Sequence, residues 1–567
     1  MINVDDVCGE FNQDSIPVRS MLRHWKTDCA KQLVIADLNS ELNGSDALLR
    51  ALVLRRLFRK VLTKDERNVG LLIPPCVPAV LANAALALDQ RTVVNLNYTV
   101  SPDVMNRCIE KVQMRHLITS RKVMEKFDYH PSCEVVYLED LKDRVTLADK
   151  LISYLQAKVL PLSMVYRQLG LNGMDPDAVM AILFTSGSTG MPRGVMLTHR
   201  NIGSNIQSYS DFFSFTFKDS MLGALPFFHS FGFTGPLWTV LTRGMSGYYH
   251  VSPLEYRPIQ RLCRKYHPTI FLGTPTFLRT YARRMEREDL ASVNLVVSGG
   301  ERCPKELMDE YESKFGIRPI QGLGITETSP VICANIPPSR HTRGWEPMPK
   351  DESVGFPMPG IKVKVLDVES GAPCGTDEVG MLWVQGSNVM KGYFDEPEKT
   401  AAVLKNGWYC TGDLVRQDQD GFIFIAGRLS RFAKIGGEMV PHEGLEDAFN
   451  QLLGNKAEEE PKICVTSVPD EKKGERIVVL YKELTVPPEE LNAKLKEKKF
   501  PNLWIPTLDS YYAIDEIPLL GTGKLDLFSI RQIALRCAQK CAQKCAEKAE
   551  KCVEKCAQKC PQVKPAQ

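Results

Sequence analysis

Residues 179–199 read VMAILFTSGSTGMPRGVMLTH. Six apolar residues, Val179 to Phe184, run into a polar loop rich in Gly, Ser and Thr, and a second apolar stretch leaves it. Short apolar runs bounded by turn residues are the pattern of buried strands. Glycines let backbone N–H groups approach phosphate oxygens, hydroxyls add donors, and Arg193 supplies charge. Thr185, Ser186, Gly187, Ser188, Thr189, Gly190 and Arg193 therefore form a candidate phosphate cradle. Pro192 and Arg193 stand where a Walker loop needs Gly and Lys, which disfavours an ordinary P-loop nucleotidase. Taken alone, the stretch also reads as a plain connection.

On either side of the loop the pattern repeats. Apolar runs at 68–73, 113–118, 178–184, 268–273 and 292–298 alternate with helical stretches, which predicts α/β architecture with buried parallel strands. Val69 to Leu88 carries Pro74, Pro75, Pro78 and Asn83, and reads as a strand followed by a helix rather than a membrane span. From about Gly344 to Gly427 short alternating strands with Gly, Pro and Asp turns predict a small β-rich subdomain. The segment after Arg428, to Ala534, reads as a small α/β lid. The expected division is 1–427 for the large part, 428–431 for a hinge, 432–535 for the lid and 536–567 for a Cys/Lys-rich tail. In that tail six cysteines from Cys537 to Cys560 recur at four- and seven-residue steps, which places them on one face of a helix. A solvated low-complexity helix is the plain reading; self-association, oxidation or acylation of the thiols is the other.

The 567 residues, 44% apolar and 25% charged, are long enough for several packed units. Lys plus Arg exceed Asp plus Glu by 71 minus 68, a surplus of three, so net charge gives no argument for a nucleic acid partner. The polar, acidic N-terminus is unlike a signal peptide, and seventeen cysteines without paired spacing suggest thiols in a reducing compartment. A cytoplasmic protein is the expectation. No Cys-x-x-Cys occurs, so structural zinc lacks its usual spacing.

The order of further motifs is more specific. Thr185-Ser-Gly-Ser-Thr-Gly-Met-Pro-Arg-Gly194 precedes Leu225-Pro-Phe-Phe-His229, Gly324-Ile-Thr326-Glu327, Tyr409-Cys-Thr-Gly-Asp413, Gly427-Arg428 and Gly521-Thr-Gly-Lys524. Six motifs in this order, over about residues 40 to 535, resemble the adenylate-forming superfamily of acyl-coenzyme A synthetases, luciferases and peptide-synthetase adenylation domains. Asn95-Leu-Asn-Tyr-Thr99, Arg431 to Met439 and Asn502-Leu-Trp-Ile-Pro506 look most like acyl-acyl carrier protein synthetases. The resemblance implies two doubly wound α/β subdomains with a small β-rich one, followed by a mobile α+β lid. It implies a fatty acid attacking the α-phosphate of ATP, then transfer of the acyl group from its adenylate to a phosphopantetheine thiol. The first step joins two anions, so it needs cations aimed at the reacting oxygens.

By that resemblance Glu327 matches the Mg²⁺ carboxylate, Thr326 a phosphate-contacting hydroxyl, and Asp413 the carboxylate that accepts the ribose hydroxyls. Arg428 matches the arginine at the start of the hinge, whose family position falls on Ser430. Lys524 matches the lysine that bridges carboxylate and α-phosphate; Lys434 and Gly437 match the lid face used for thioester formation, so two lid orientations serve one site. His229 matches the gate beside the carboxylate tunnel. Gly299, Gly300 and Glu301 would meet adenine through the backbone. Plain readings stand beside these: a helix cap at Thr326-Glu327, a turn aspartate, a surface arginine, an exposed turn lysine at Lys524, a salt-bridge lysine at Lys434 and a packed histidine. Phe227, Phe231, Phe233, Phe271, Pro275 and Phe277 suit an alkyl chain or ordinary core.

Two departures stand out. Arg193 replaces the loop's usual lysine, keeping the charge and adding a fork for phosphate. Leu323 stands where many relatives stack a tyrosine on adenine, which makes base packing aliphatic. These two departures also motivate a noncatalytic nucleotide-binding scaffold as a rival reading. The chemistry motifs do not separate holo-acyl carrier protein from coenzyme A. Lys494, Lys496, Lys498 and Lys499, with Lys472 and Lys473, are a candidate docking patch for an acidic carrier protein or a solvated face. Arg50 to Lys60 reads as a helix packed on the large domain, or as a peripheral contact with anionic lipid.

Overall fold

The computed structural model describes residues 11–127, 129–185, 192–342, 344, 346–435, 438–455, 461–470, 473–519 and 525–541. The chain forms two compact units, dividing between Ala426 and Gly427.

The first unit holds two large sheets. One has seven strands in the order Gly392–Tyr393, Arg193–Thr198, Val179–Thr185, Thr92–Asn95, Asn68–Leu71, His116–Thr119 and Glu134–Tyr137. From Val179–Thr185 to Glu134–Tyr137 neighbouring strands are parallel and their apolar side chains are mostly buried, as sheets covered by helices require. Val179–Thr185 has a second partner that periodicity did not reveal. It pairs antiparallel with Arg193–Thr198, from Val179 opposite Thr198 to Thr185 opposite Arg193. A connection this short permits only a hairpin, since a parallel return needs a crossover. Helix Val77–Leu88, begun by a proline in its first turn, is buried along almost its whole length, which explains a sequence apolar on every face.

The other sheet has nine strands, in the order Phe356–Pro357, Val331–Ala334, Ile320–Gly324, Leu295–Ser298, Ile270–Gly273, Ser220–Gly223, Ser246–Tyr249, Leu33–Ala36 and Glu41–Asn43. Its middle is parallel, and both edges turn antiparallel. A smaller antiparallel sheet contains Lys362–Leu366, Gly380–Gln385, Trp408–Gln417 and Leu404–Lys405, in the region expected to be β-rich.

The second unit builds its sheet from Glu438–Pro441, Phe432–Ile435, Gly474–Tyr481 and Ile463–Asp470, with Tyr511–Ala513 beside Gly474–Tyr481. Helices His442–Leu453 and Pro488–Glu497 cover a core of Leu445, Phe449, Val465, Val479 and Leu491. A helix over 527–541 carries Cys537 and Cys541; the rest of the cysteine stripe lies outside the described residues. Among the described residues no helix is long and apolar enough to cross a membrane.

The basic segment Arg50–Lys60 lies within helix Gly44–Val61, and most of its charge is spent within the protein. Arg55 and Arg59 pair with Asp89, at 3.1 and 3.5 Å, and Arg56 and Lys60 pair with Asp149. These four cations hold the helix to its neighbours, as the packed-helix reading expects.

Candidate active site

Thr185 and Arg193 face each other as the last register pair of the hairpin. Ser186, Gly187, Ser188, Thr189 and Gly190 lie outside the described residues. The Arg193 guanidinium lies over the ring of Tyr393, 5.4 Å from its centroid. Tyr393 is placed by the two-residue strand that pairs with the hairpin, opposite Val195. Its hydroxyl donates to Glu327 Oε1 at 2.9 Å. Burial pushes the Tyr393 phenol up to about 12 and the Glu327 carboxylate acts in the same direction, so it remains a donor. Tyr409, on the strand that carries Asp413, also hydrogen-bonds Tyr393.

Glu327 sits in the turn Thr326–Thr328, which follows strand Ile320–Gly324. Three bonds fix that turn: Met390 N–H donates to the Glu327 carbonyl at 2.8 Å, Asn388 Nδ2 to that of Thr328 at 2.8 Å, and Thr328 Oγ1 to that of Pro330 at 2.7 Å. Thr326 Oγ1 lies 3.2 Å from Ser230 Oγ, which links the turn to the segment after His229. That segment doubles back tightly. A Cβ at Gly232 would fall 2.1 Å from the Pro226 carbonyl oxygen, so only glycine fits. The His229 ring stands 4.5 Å from Phe228, which meets Tyr98 edge-on at 4.8 Å. Tyr393 thus links Arg193 to Glu327, and Ser230, next to His229 in the chain, meets the neighbouring Thr326.

The aromatic residues expected either to line an alkyl pocket or to fill the core divide. Phe227, Phe233, Phe271 and Pro275 are buried, whereas Phe231 and Phe277 keep part of their surface. Phe231 packs against Gly299, where a Cβ would come within 3.1 Å of its ring. Gly300, at φ +85°, and Glu301 follow the carboxyl end of strand Leu295–Ser298, the edge at which α/β sheets place ligands. Glu301 Oε2 accepts from Thr276 Oγ1 at 3.5 Å. Leu323 is only 8% exposed and packs into the main core, so little of it faces outward.

Asp413 is 4% exposed on strand Trp408–Gln417, and its backbone N–H donates to Thr411 Oγ1 at 3.0 Å. In the second unit Arg428 and Lys434 are exposed, and the Lys434 N–H donates to Glu475 Oε2 at 2.7 Å. Gly437 and Lys524 lie outside the described residues. Lys494 pairs with Glu490 at 2.8 Å, and Lys498 donates to Gln451 at 3.2 Å, so the lysine patch is partly engaged within its own unit. Lys472 also falls outside the described residues.

Sequence reasoning missed Tyr393. A two-residue strand has no periodicity, and a Gly-Tyr pair gives no hint that it pairs with a hairpin nearly two hundred positions earlier.

Residues 23–394 match the AMP-binding enzyme family. The chain is 32% identical over 363 residues to a long-chain-fatty-acid–CoA ligase of Bacillus subtilis, covering 62% of this chain and 61% of the ligase. It is 31% identical over 377 residues to a medium-chain fatty-acid–CoA ligase of Escherichia coli, covering 64% and 62%. The alignments thus span less than two thirds of these ligases' own length. ATP-bound MatB from Rhodopseudomonas palustris superposes with a TM-score of 0.72 at 22% identity, over 91% of this chain and 98% of that one. The o-succinylbenzoate CoA synthetase MenE of Bacillus subtilis, solved with its acyl-adenylate, gives 0.73 at 22% identity, over 89% and 96%. At that identity the structural likeness speaks for the fold. With the family match extending over most of the chain, the protein belongs to the AMP-binding enzyme family, within the adenylate-forming superfamily.

Proposed function

We propose that the protein activates a medium- or long-chain fatty acid with ATP, forming an acyl-adenylate and pyrophosphate, and then passes the acyl group to a phosphopantetheine thiol with release of AMP. The observation that carries this reading is the junction at Tyr393. Its ring lies against the Arg193 guanidinium and its hydroxyl binds Glu327, so one residue couples the phosphate-side cation to the acidic turn. The names of the fatty-acid–CoA ligases support a fatty acid substrate.

Attack of a carboxylate on a phosphate is opposed by like charge, and fixed cations lower that barrier. Arg193 would take phosphate oxygens through its forked donors, and Thr326 would add a hydroxyl. Glu327 fits Mg²⁺: it is half-buried, and Tyr393 engages only Oε1. Among the described residues no group of three or more His, Cys, Asp or Glu side chains could hold a metal alone, and one carboxylate with substrate phosphates is a usual Mg²⁺ arrangement. Bound there, Mg²⁺ would neutralise charge on the phosphates. Asp413 would accept the ribose hydroxyls, with Gly300 and Glu301 beside the base. His229, next to Phe228, would stand at the carboxylate's entrance. Lys524 would serve adenylation and Lys434, with Gly437, the thioester step, while Arg428 would mark the start of the hinge.

For the acceptor, the relatives' names favour coenzyme A. The carrier-protein reading rests on the motifs at 95–99, 431–439 and 502–506 and on the patch of Lys494, Lys496, Lys498 and Lys499 with Lys472 and Lys473, in which Lys496, Lys498 and Lys499 are exposed. The test supplies ATP, Mg²⁺ and a fatty acid with coenzyme A and holo-acyl carrier protein in parallel, and follows product mass and AMP. Acyl-coenzyme A as the main product assigns the first acceptor, and acylated carrier protein the second. No AMP with any fatty acid refutes the proposal and leaves the scaffold reading.

A further inference from the structure

A groove of about 1070 Å³ lies in the first unit, outside the site just described. Helices Gly44–Val61, Leu138–Lys142 and Leu147–Tyr154 form it, together with the first turn of Val77–Leu88. Its walls are almost wholly aliphatic, with Val53, Leu54, Leu57, Leu81 and Leu141 among them. None of the candidate active-site residues lines it. Leu147, Leu151 and Tyr154 stand on its lip at 83, 60 and 49% exposure, a contiguous apolar patch of the kind that marks a binding surface.

Two features make this a built site. Asp149 of helix Leu147–Tyr154 is 1% exposed and clamped by Arg56 and Lys60, so that helix is anchored against Gly44–Val61 and the groove beside it has a fixed wall. The cations also divide by position. Arg55, Arg56, Arg59, Lys60 and Lys158 are all paired with carboxylates. Lys142 and Lys150, which line the groove and are exposed, have no ion pair among the described residues, and Arg50, also exposed on the lining, lies in the field of Asp46 without a close ion pair. An aliphatic trough with uncommitted cations on its rim complements an amphiphilic anion, chain inward and head group at the rim. The apolar surface is concave, so it encloses one chain better than it rests on a flat bilayer.

We propose that this groove binds a single monomeric long-chain carboxylate, at a second site separate from the one where the acid is activated. The test titrates the full-length protein with cis-parinaric acid below its micellar concentration, without ATP, so this probe-binding arm stands whether or not the ligase reading does, while the exchange arm rests on that reading. Two variants address the site: Ala148→Trp narrows the groove, and Arg50→Glu with Lys142→Glu and Lys150→Glu reverses the exposed rim without disturbing a packed residue. Each should weaken probe binding roughly tenfold, while the fatty acid KM in ATP–pyrophosphate exchange stays within about twofold of the parent. Parent-like probe binding by the folded rim variant overturns the proposal. So does binding to phosphatidylglycerol vesicles without saturable binding of the monomeric probe, which would make the groove a membrane contact.

Discussion

Replacing Tyr393 by Phe removes one atom from the proposed site and leaves its framework in place. Phe keeps the ring under Arg193 and the packing of a residue only 3% exposed, but loses the donor to Glu327 Oε1 and the hydroxyl's bond with Tyr409. A hydrogen bond to a charged acceptor is worth about 1.5–3 kcal/mol. Glu327 is half-buried, so water replaces part of the lost bond and the net cost should be about 1–2 kcal/mol. At about 1.4 kcal/mol per factor of ten, kcat/KM for fatty-acid-dependent exchange of labelled pyrophosphate into ATP should fall roughly 5- to 30-fold. Thermal stability should change little. The assay is that exchange at saturating Mg²⁺, repeated in Glu327→Gln and in the double variant. If Tyr393 acts through Glu327, its substitution should cost much less once Glu327 is gone. An unchanged rate in Tyr393→Phe, or the same loss with and without Glu327, would refute the coupling.

Burial drives the His199 imidazole down to about 4, with Asp175 opposing weakly. The unfolded chain then binds the extra proton between about pH 6.5 and 4, so stability is present above that window and is lost as pH falls through it, by about 3 kcal/mol. Urea unfolding at pH 7 and pH 4.5 should show a smaller acid loss in His199→Leu than in the parent. Gly232→Ala should destabilise the first unit by several kcal/mol, or abolish folding, because its Cβ would meet the Pro226 carbonyl at 2.1 Å; a melting temperature within a few degrees of the parent would contradict the geometry. Lys524→Ala should abolish pyrophosphate exchange while thioester formation from supplied acyl-adenylate largely persists; loss of both would contradict the two-orientation account of the lid.

The linear pattern carried the α/β class, the β-rich region and the order of the motifs, because these depend on local periodicity and turn chemistry. Strand-then-helix at Val69 to Leu88 was readable from a proline-bounded apolar run, and the structure has Asn68–Leu71 followed by Val77–Leu88. The resemblance of the motifs to the adenylate-forming superfamily nominated Glu327 and Asp413, and the polar loop itself nominated Arg193. What the sequence left open was every relation between distant positions. That Val179–Thr185 pairs parallel on one side and antiparallel on the other depends on which edges meet. That Phe227 and Phe271 are buried, and that Leu323 packs into the main core, depends on contacts from elements far along the chain. Tyr393 entered the site through a single short pairing, and the groove arose because ion pairs anchor two helices separated by some ninety residues. Periodicity is a property of a segment, whereas a site is a property of the contacts that tertiary packing selects.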